Sequence, residues 1–345
     1  MPSRLNIGCT LAAALLSLML SGSASAVILY STDVRNTDPP GSLSNRDTNL
    51  GPQGSDDPRR LLNSGWQYEG QFQGFLGTPI GSQYFVTARH IQGDVGSTID
   101  YNGVTYTTTA YWDHHADPND PNSQLLSDLR IWKISGTFNT WAPLYNASVD
   151  GTEAGKSILI TGRGTQRGAP VTLNGTLKGW QWGTQDGVQS WGENVVTGTT
   201  DYTLSSDNKL MYFDFDADGG PNEAALTLGD SGGGVFINAG GTWKLAGINF
   251  AVDGPWRYTL NGTDFNASLF DAGGLYAQYG SAGNWQLVPD GAIGSSYASR
   301  ISAELSWIQS ITGISAGVAV PEPTSAGLVM LSLAALLKRR RLHTV

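Results

Sequence analysis

From Trp66 onward the chain divides into short runs rich in β-branched and aromatic residues, each bounded by Gly, Asn or Asp. Gln71 to Leu76, Tyr84 to Ala88, Tyr101 to Tyr111, Leu129 to Ile134, Ser157 to Ile160, Leu210 to Phe215, Val235 to Ile237 and Lys244 to Phe250 all have this form. Runs of this length between turn residues read as strands, and their regular spacing predicts an all-β barrel or sandwich. One segment departs from the pattern. Ile301, Leu305 and Ile308 share a helical face, Trp307 and Ile311 widen it, and Gly313 follows as a stop, so a helix is expected over Ser302 to Ile311. No internal repeat of fixed period is present.

Both ends of the 345-residue chain have a different character. Arg4, the apolar run Leu11 to Leu20 and Ala24-Ser25-Ala26 read as a secretory signal peptide, with cleavage expected after Ala26. The single cysteine, Cys9, lies inside that segment, so the processed chain has no disulfide and no cysteine-ligated metal. A chain of this length can bury a core large enough to fold without such staples. At the other end, Val320-Pro321-Glu322-Pro323-Thr324 precedes the apolar run Ala326 to Leu337 and the cluster Lys338-Arg339-Arg340-Arg341. The basic cluster satisfies the positive-inside rule, and the apolar run is short for a membrane span. This tail resembles the PEP-CTERM sorting signal of Gram-negative bacteria. The resemblance implies an exosortase-type processing partner, transient inner-membrane anchoring through a short transmembrane helix, and export by the Sec pathway to the cell surface or extracellular matrix.

The formal net charge is −9, and most of the terminal charges are basic, so the middle of the chain is more acidic still. That argues against nucleic acid as a partner, because phosphate binding needs basic patches. Residues 27–64 are rich in Asp, Asn, Pro and Ser, and read as an extended arm lying on the domain or partly mobile.

Chemistry centres on Leu228-Gly229-Asp230-Ser231-Gly232-Gly233-Gly234-Val235-Phe236. Glycines on both sides let a serine hydroxyl stand clear and let backbone N–H groups turn toward a developing oxyanion. The N–H groups of Gly229 and Ser231 are the candidate donors. Glycine is common here, 45 residues in all, so a plain glycine-rich turn would read the same way by itself. His90 ends the run Tyr84-Phe85-Val86-Thr87-Ala88-Arg89-His90. Asp128 opens the strand Leu129-Arg130-Ile131-Trp132, whose residues alternate between two sides. A histidine at a strand end and an aspartate at a strand start are each ordinary structural residues. Together with Ser231 they are also the parts of a triad: a base, a carboxylate that orients it, and a nucleophile.

In this order the chain resembles the chymotrypsin/trypsin family of serine endopeptidases. The family's T-A-x-H motif matches Thr87-Ala88-Arg89-His90, its aspartate strand matches Asp128-Leu129-Arg130-Ile131, and its G-D-S-G-G motif matches Gly229-Asp230-Ser231-Gly232-Gly233. Thr161-Gly162-Arg163-Gly164-Thr165 resembles the S-G-W-G-T turn, with arginine in place of tryptophan. Trp243 to Ile248 resembles the strand after the nucleophile, and Tyr297 to Ile308 the closing strand and helix. The resemblance covers about residues 65–313.

It implies two six-stranded antiparallel Greek-key β-barrels, about 65–150 and 151–313, with a C-terminal helix. A linker, 314–320, and the sorting signal, 321–345, would follow. The implied roles are His90 as base, Asp128 as orienting carboxylate and Ser231 as nucleophile, with an oxyanion hole at Gly229 and Ser231. Ala225 would floor the first pocket, and Phe250, Ala251 and Val252 would pair with substrate backbone. The implied function is a secreted, surface-sorted endopeptidase that cuts a protein or peptide substrate through an acyl-enzyme, without cofactor or metal. A catalytically idle barrel used for adhesion or matrix binding is the alternative, and an esterase on the same residues a third. In animal members the aspartate before the serine pairs with a new N-terminus. Here the partner of Asp230 and the role of the 251–296 insertion stay open. Asp214-x-Asp216-x-Asp218-Gly219 resembles half a calcium loop but has Ala225 at the twelfth position, and Asp113-His114-His115 fits no closed zinc site, so both read as polar loops.

Overall fold

The computed structural model describes residues 27–41, 61–202, 208–280 and 283–316. Six strands close into a barrel: Gly70–Phe72, Phe75–Gly81, Tyr84–Ala88, Leu125–Ile134, Val104–His115 and Thr98–Tyr101, with Gln71 paired to Asp100 to complete the ring. Strand alternation sorts the side chains. Phe85, Trp132 and Ile134 point inward, where they meet Phe72, Ile99, Tyr101 and Phe138. Val86, Ala88, Leu129 and Ile131 point outward and are also buried, packed against Leu159, Trp191, Phe236 and Leu245 of the second half. Tyr84–Ala88 and the start of Leu125–Ile134 are therefore covered on both faces, which is why they read as apolar runs rather than clean alternations. Each large side chain so buried contributes on the order of 2 kcal/mol. This shared core fixes the barrel's strand ends against the second half.

The second half corrects the expectation of two six-stranded barrels. Its main sheet has seven strands in the order Ser190–Val195, Ser157–Gly162, Gly234–Ala239, Thr242–Val252, Ser295–Arg300, Asn208–Asp214 and Gly198–Tyr202, and its two edge strands do not pair with each other. Among the described residues only one barrel closes. Two pairings account for the open edge. The hairpin Thr165–Leu173 with Thr176–Gln185 joins Ala267–Leu269 of the insertion in a separate three-stranded sheet. The edge strand Ser190–Val195 meets the N-terminal arm and the 222–223 loop through the bridges Asn36 to Trp191 and Glu193 to Glu223.

The arm is docked. Ile28–Leu29 pairs with Ala224–Ala225. Arg35 grips Asp186 through both guanidinium nitrogens, at 3.0 and 2.6 Å. Tyr30 packs edge-on to Trp180, Phe215 and Phe270. The C-terminal helix spans Ile301–Thr312, and Gly313 caps it at φ 72°, donating its N–H to the Gln309 carbonyl. Among the described residues no helix is long and apolar enough to cross a membrane. The expectations of a transmembrane helix and of transient inner-membrane anchoring therefore find no support among the described residues. The run Ala326 to Leu337, the rest of the tail and residues 1–26 lie outside the described residues.

Candidate functional site

His90 sits in the short turn Arg89–Ile91 that follows Tyr84–Ala88, so the barrel's buried strand delivers it to the junction between the halves. Asp128 lies on the neighbouring strand, 6% exposed. Its Oδ1 accepts the His90 backbone N–H at 3.2 Å, and its Oδ2 lies 2.7 Å from His90 Nδ1. The other ring nitrogen, Nε2, is 2.7 Å from Ser231 Oγ. With Nδ1–H donating to the carboxylate, Nε2 carries the lone pair that faces the serine hydroxyl. The imidazole edge also touches Phe250, with ring centroids 6.0 Å apart.

Ser231 is held by its neighbours' backbone. Gly232 has φ 80°, and a Cβ there would stand 2.5 Å from both the Leu76 carbonyl and Thr87 Oγ1. Only glycine lets the loop lie this close to the barrel strands. Asn249 grips the loop from below. Its Nδ2 donates to the Asp230 carbonyl at 3.0 Å and to the Thr161 carbonyl at 2.7 Å. Its backbone accepts from Gly232 N–H and donates to the Gly233 carbonyl. The N–H groups of Gly229, at φ 99°, and Ser231 donate to no other backbone group among the described residues. Asn249→Ala would remove a buried donor from two carbonyls, leaving that of Asp230 with the 3.2 Å bond from Gly233 N–H. It is expected to cost about 2–4 kcal/mol, read from the urea midpoint, and to weaken any chemistry at Ser231 in step.

A second buried carboxyl joins the halves beside this loop. Glu69 Oε1 accepts from Thr161 Oγ1 and from Gly234 N–H, both at 2.9 Å. Burial outweighs these donors and pushes Glu69 up to about 7. Neither Glu69 nor Asn249 stands out in the sequence, because a lone polar residue in a strand pattern carries no signal of the contact it makes across the fold.

Asp230 is buried, and its carboxyl points away from Ser231. Oδ1 accepts from Gly164 N–H at 2.7 Å and from Val27 N–H at 3.3 Å; Oδ2 accepts from Thr227 N–H at 2.7 Å and Thr227 Oγ1 at 2.9 Å. All four donors are neutral, so burial pushes Asp230 up to about 7. The open question of its partner is thus answered by Val27, 203 residues away in sequence.

Ala225 lies in the wall of a narrow pocket, with Leu226, Val252, Asp253, Trp256 and Leu269 among its neighbours. Val252 stands two residues beyond Phe250 on the strand Thr242–Val252, so this cavity adjoins the imidazole side of the site. Ala251 and Val252 pair with Tyr297 and Ser296, whereas pairing with Gly234–Ala239 ends at Ile248. Asp253, pushed up to about 6 by burial, accepts from Ser295 N–H and Tyr297 Oη.

The histidine-rich segment disperses. Asp113 takes both prongs of the Arg130 guanidinium, at 2.6 and 2.7 Å. His114 meets Glu304 at 2.6 Å and stacks on Trp307, and His115 faces the Ser123 carbonyl. Among the described residues no group of three or more His, Cys, Asp or Glu side chains is placed to hold a metal ion.

No family model matches the chain, and no curated protein matches it. What stands is a β-rich domain with one closed six-stranded barrel. The expectation of a surface-sorted endopeptidase on a two-barrel scaffold is corrected accordingly: the second barrel does not close, and no matching family supplies the substrate class or the sorting.

Proposed function

We propose that the protein is a serine-type hydrolase acting on a carbonyl substrate. The observation that carries this reading is the position of the His90 imidazole, 2.7 Å from Asp128 on one side and 2.7 Å from Ser231 Oγ on the other. The order and contacts match what nucleophilic catalysis needs: a base in hydrogen-bond reach of the hydroxyl, and a carboxylate that holds the base in one tautomer. In the proposed reaction Ser231 Oγ attacks the carbonyl carbon while Nε2 takes its proton. The oxyanion accepts from the N–H groups of Gly229 and Ser231. The carbonyl re-forms as the bond to the leaving group breaks, and the imidazolium returns the proton to that group. Water then enters by the same route and releases the acid. The narrow pocket beside Ala225 and Val252 suits only a small group on the acyl side.

A fluorophosphonate probe tests this reading. It is expected to add to Ser231, located by peptide mass spectrometry, and to leave Ser231→Ala unlabelled. A binding barrel without turnover is the second reading. The single closed barrel and the lack of a matching family favour it, and an unlabelled wild-type protein would select it.

A further inference from the structure

Beside the loop that carries Ser231 lies a cation without a counterion contact. Arg163 is half-buried, its Nε is enclosed without a hydrogen-bond partner, and no ion pair involves it among the described residues. Burial lowers its pKa, and the nearest opposing charge is Asp186. That carboxylate already holds Arg35 through both oxygens and Gln166 through one. A half-buried guanidinium with no carboxylate in contact is costly, and such groups are ordinarily paired.

The surroundings share this state. Thr165 Oγ1 and Gln189 Nε2 are also buried without partners. Strand register brings these groups together: Ser190 pairs with Gly162, which sets Gln189 opposite Arg163, and Gln185 pairs with Thr165. The segment abuts the nucleophile loop. Gly164 N–H donates to Asp230, and a Cβ on Gly229 would stand 2.9 Å from Gly164 Cα and 2.4 Å from Gln185 Nε2. The strand that carries Phe250 to Val252 approaches the same loop through Asn249, from another side.

We infer that the terminal nitrogens of Arg163, with the exposed Gln185 beside them, form a carboxylate-binding subsite on the flank of Ser231 away from Phe250–Val252, where the leaving group of an acyl transfer sits. The placement rests on the hydrolase reading above. One guanidinium beside a neutral amide and near Asp186 matches a singly charged anion better than a dianion. A planar guanidinium takes a carboxylate through two parallel hydrogen bonds. The leaving group would thus be an amine or alcohol that bears a carboxylate, either on a side chain or as a chain end.

Acyl transfer tests the subsite, because an acceptor enters where a leaving group departs. The whole protein is acylated with a nitrophenyl ester, and three amines compete with water for the acyl group: alanine amide, aspartyl amide and free alanine. At least one carboxylate-bearing amine is expected to capture it about tenfold better than alanine amide, and which one does so identifies a side-chain or chain-end carboxylate. Arg163→Gln is expected to erase that preference and to leave the melting temperature unchanged or higher, since no partner is lost. Equal capture of all three amines, or a preference that survives Arg163→Gln, overturns the inference. If the ester acylates nothing, the hydrolase reading fails separately. Acetate binding, followed through the arginine Nε–H resonances of Ser231→Ala with and without Arg163→Gln, then decides: a saturable, Arg163-dependent shift keeps the anion site, and no shift ends it.

Discussion

Replacing His90 with alanine is expected to slow hydrolysis of an activated ester by a factor on the order of 10⁵, with little loss of stability. The reasoning is local. Nε2 is the base within reach of Ser231 Oγ, at 2.7 Å, and a hydroxyl without a base is a poor nucleophile at neutral pH. The side chain is 37% exposed, so its removal opens no sealed cavity, and Asp128 keeps the backbone N–H of residue 90. Asp128→Asn should cost about 10⁴-fold for a different reason. An amide that donates to Nδ1 favours the tautomer with its proton on Nε2, the wrong nitrogen. Initial rates, with urea midpoints as the control for folding, check both. Rates within tenfold of wild type in either variant would remove the triad from the mechanism.

The second large effect concerns Asp230. Asp230→Ala removes an acceptor from Gly164 N–H, Thr227 N–H, Thr227 Oγ1 and Val27 N–H inside the core, and is expected to cost about 3–5 kcal/mol. A pH signature accompanies it. Burial raises this carboxyl from 3.8 to about 7, so the native state holds a proton that the unfolded chain has released. Its contribution to stability is therefore complete below pH 3.8 and is lost as pH rises through about 7, an amplitude of roughly 4 kcal/mol. Glu69, raised to about 7, and Asp253, raised to about 6, add slopes of the same sign. A chain beginning at Val27 would carry an ammonium in place of the amide N–H that lies 3.3 Å from Oδ1. That charge favours the carboxylate and should remove most of the Asp230 component. Urea midpoints from pH 5 to 8, compared between a chain starting at Val27 and one retaining earlier residues, measure the difference. Identical slopes would show that Val27 does not meet Asp230 as a cation.

Local features of the fold were readable in advance, and long-range closure was not. Tyr84 to Ala88 has both the composition and the bounds of its strand, and the helix expected over Ser302 to Ile311 spans Ile301–Thr312. Each rests on periodicity within a few residues. Whether a sheet closes depends instead on which edges meet. The hairpin Thr165–Leu173 and Thr176–Gln185 turns to Ala267–Leu269, and Asn36 and Glu223 occupy the edge at Trp191 and Glu193. Nothing in those segments encodes a partner so distant. The site divides in the same way. His90, Asp128 and Ser231 sit in distinctive local contexts: a strand end, a strand start and a glycine cluster. Val27, Asn249 and Glu69 are ordinary residues until the fold sets them around the Ser231 loop. Arg163 is intermediate, since the turn it occupies is conspicuous but its lack of an ion pair among the described residues becomes visible only in three dimensions.

The most direct measurement is the intact mass of protein quenched in acid during turnover of a slow-leaving acyl ester. A mass increase equal to one acyl group, mapped to Ser231 and absent from Ser231→Ala, is the predicted result. A protein that hydrolyses the ester with no such adduct, or carries the adduct on another residue, would contradict the assignment of Ser231 as nucleophile.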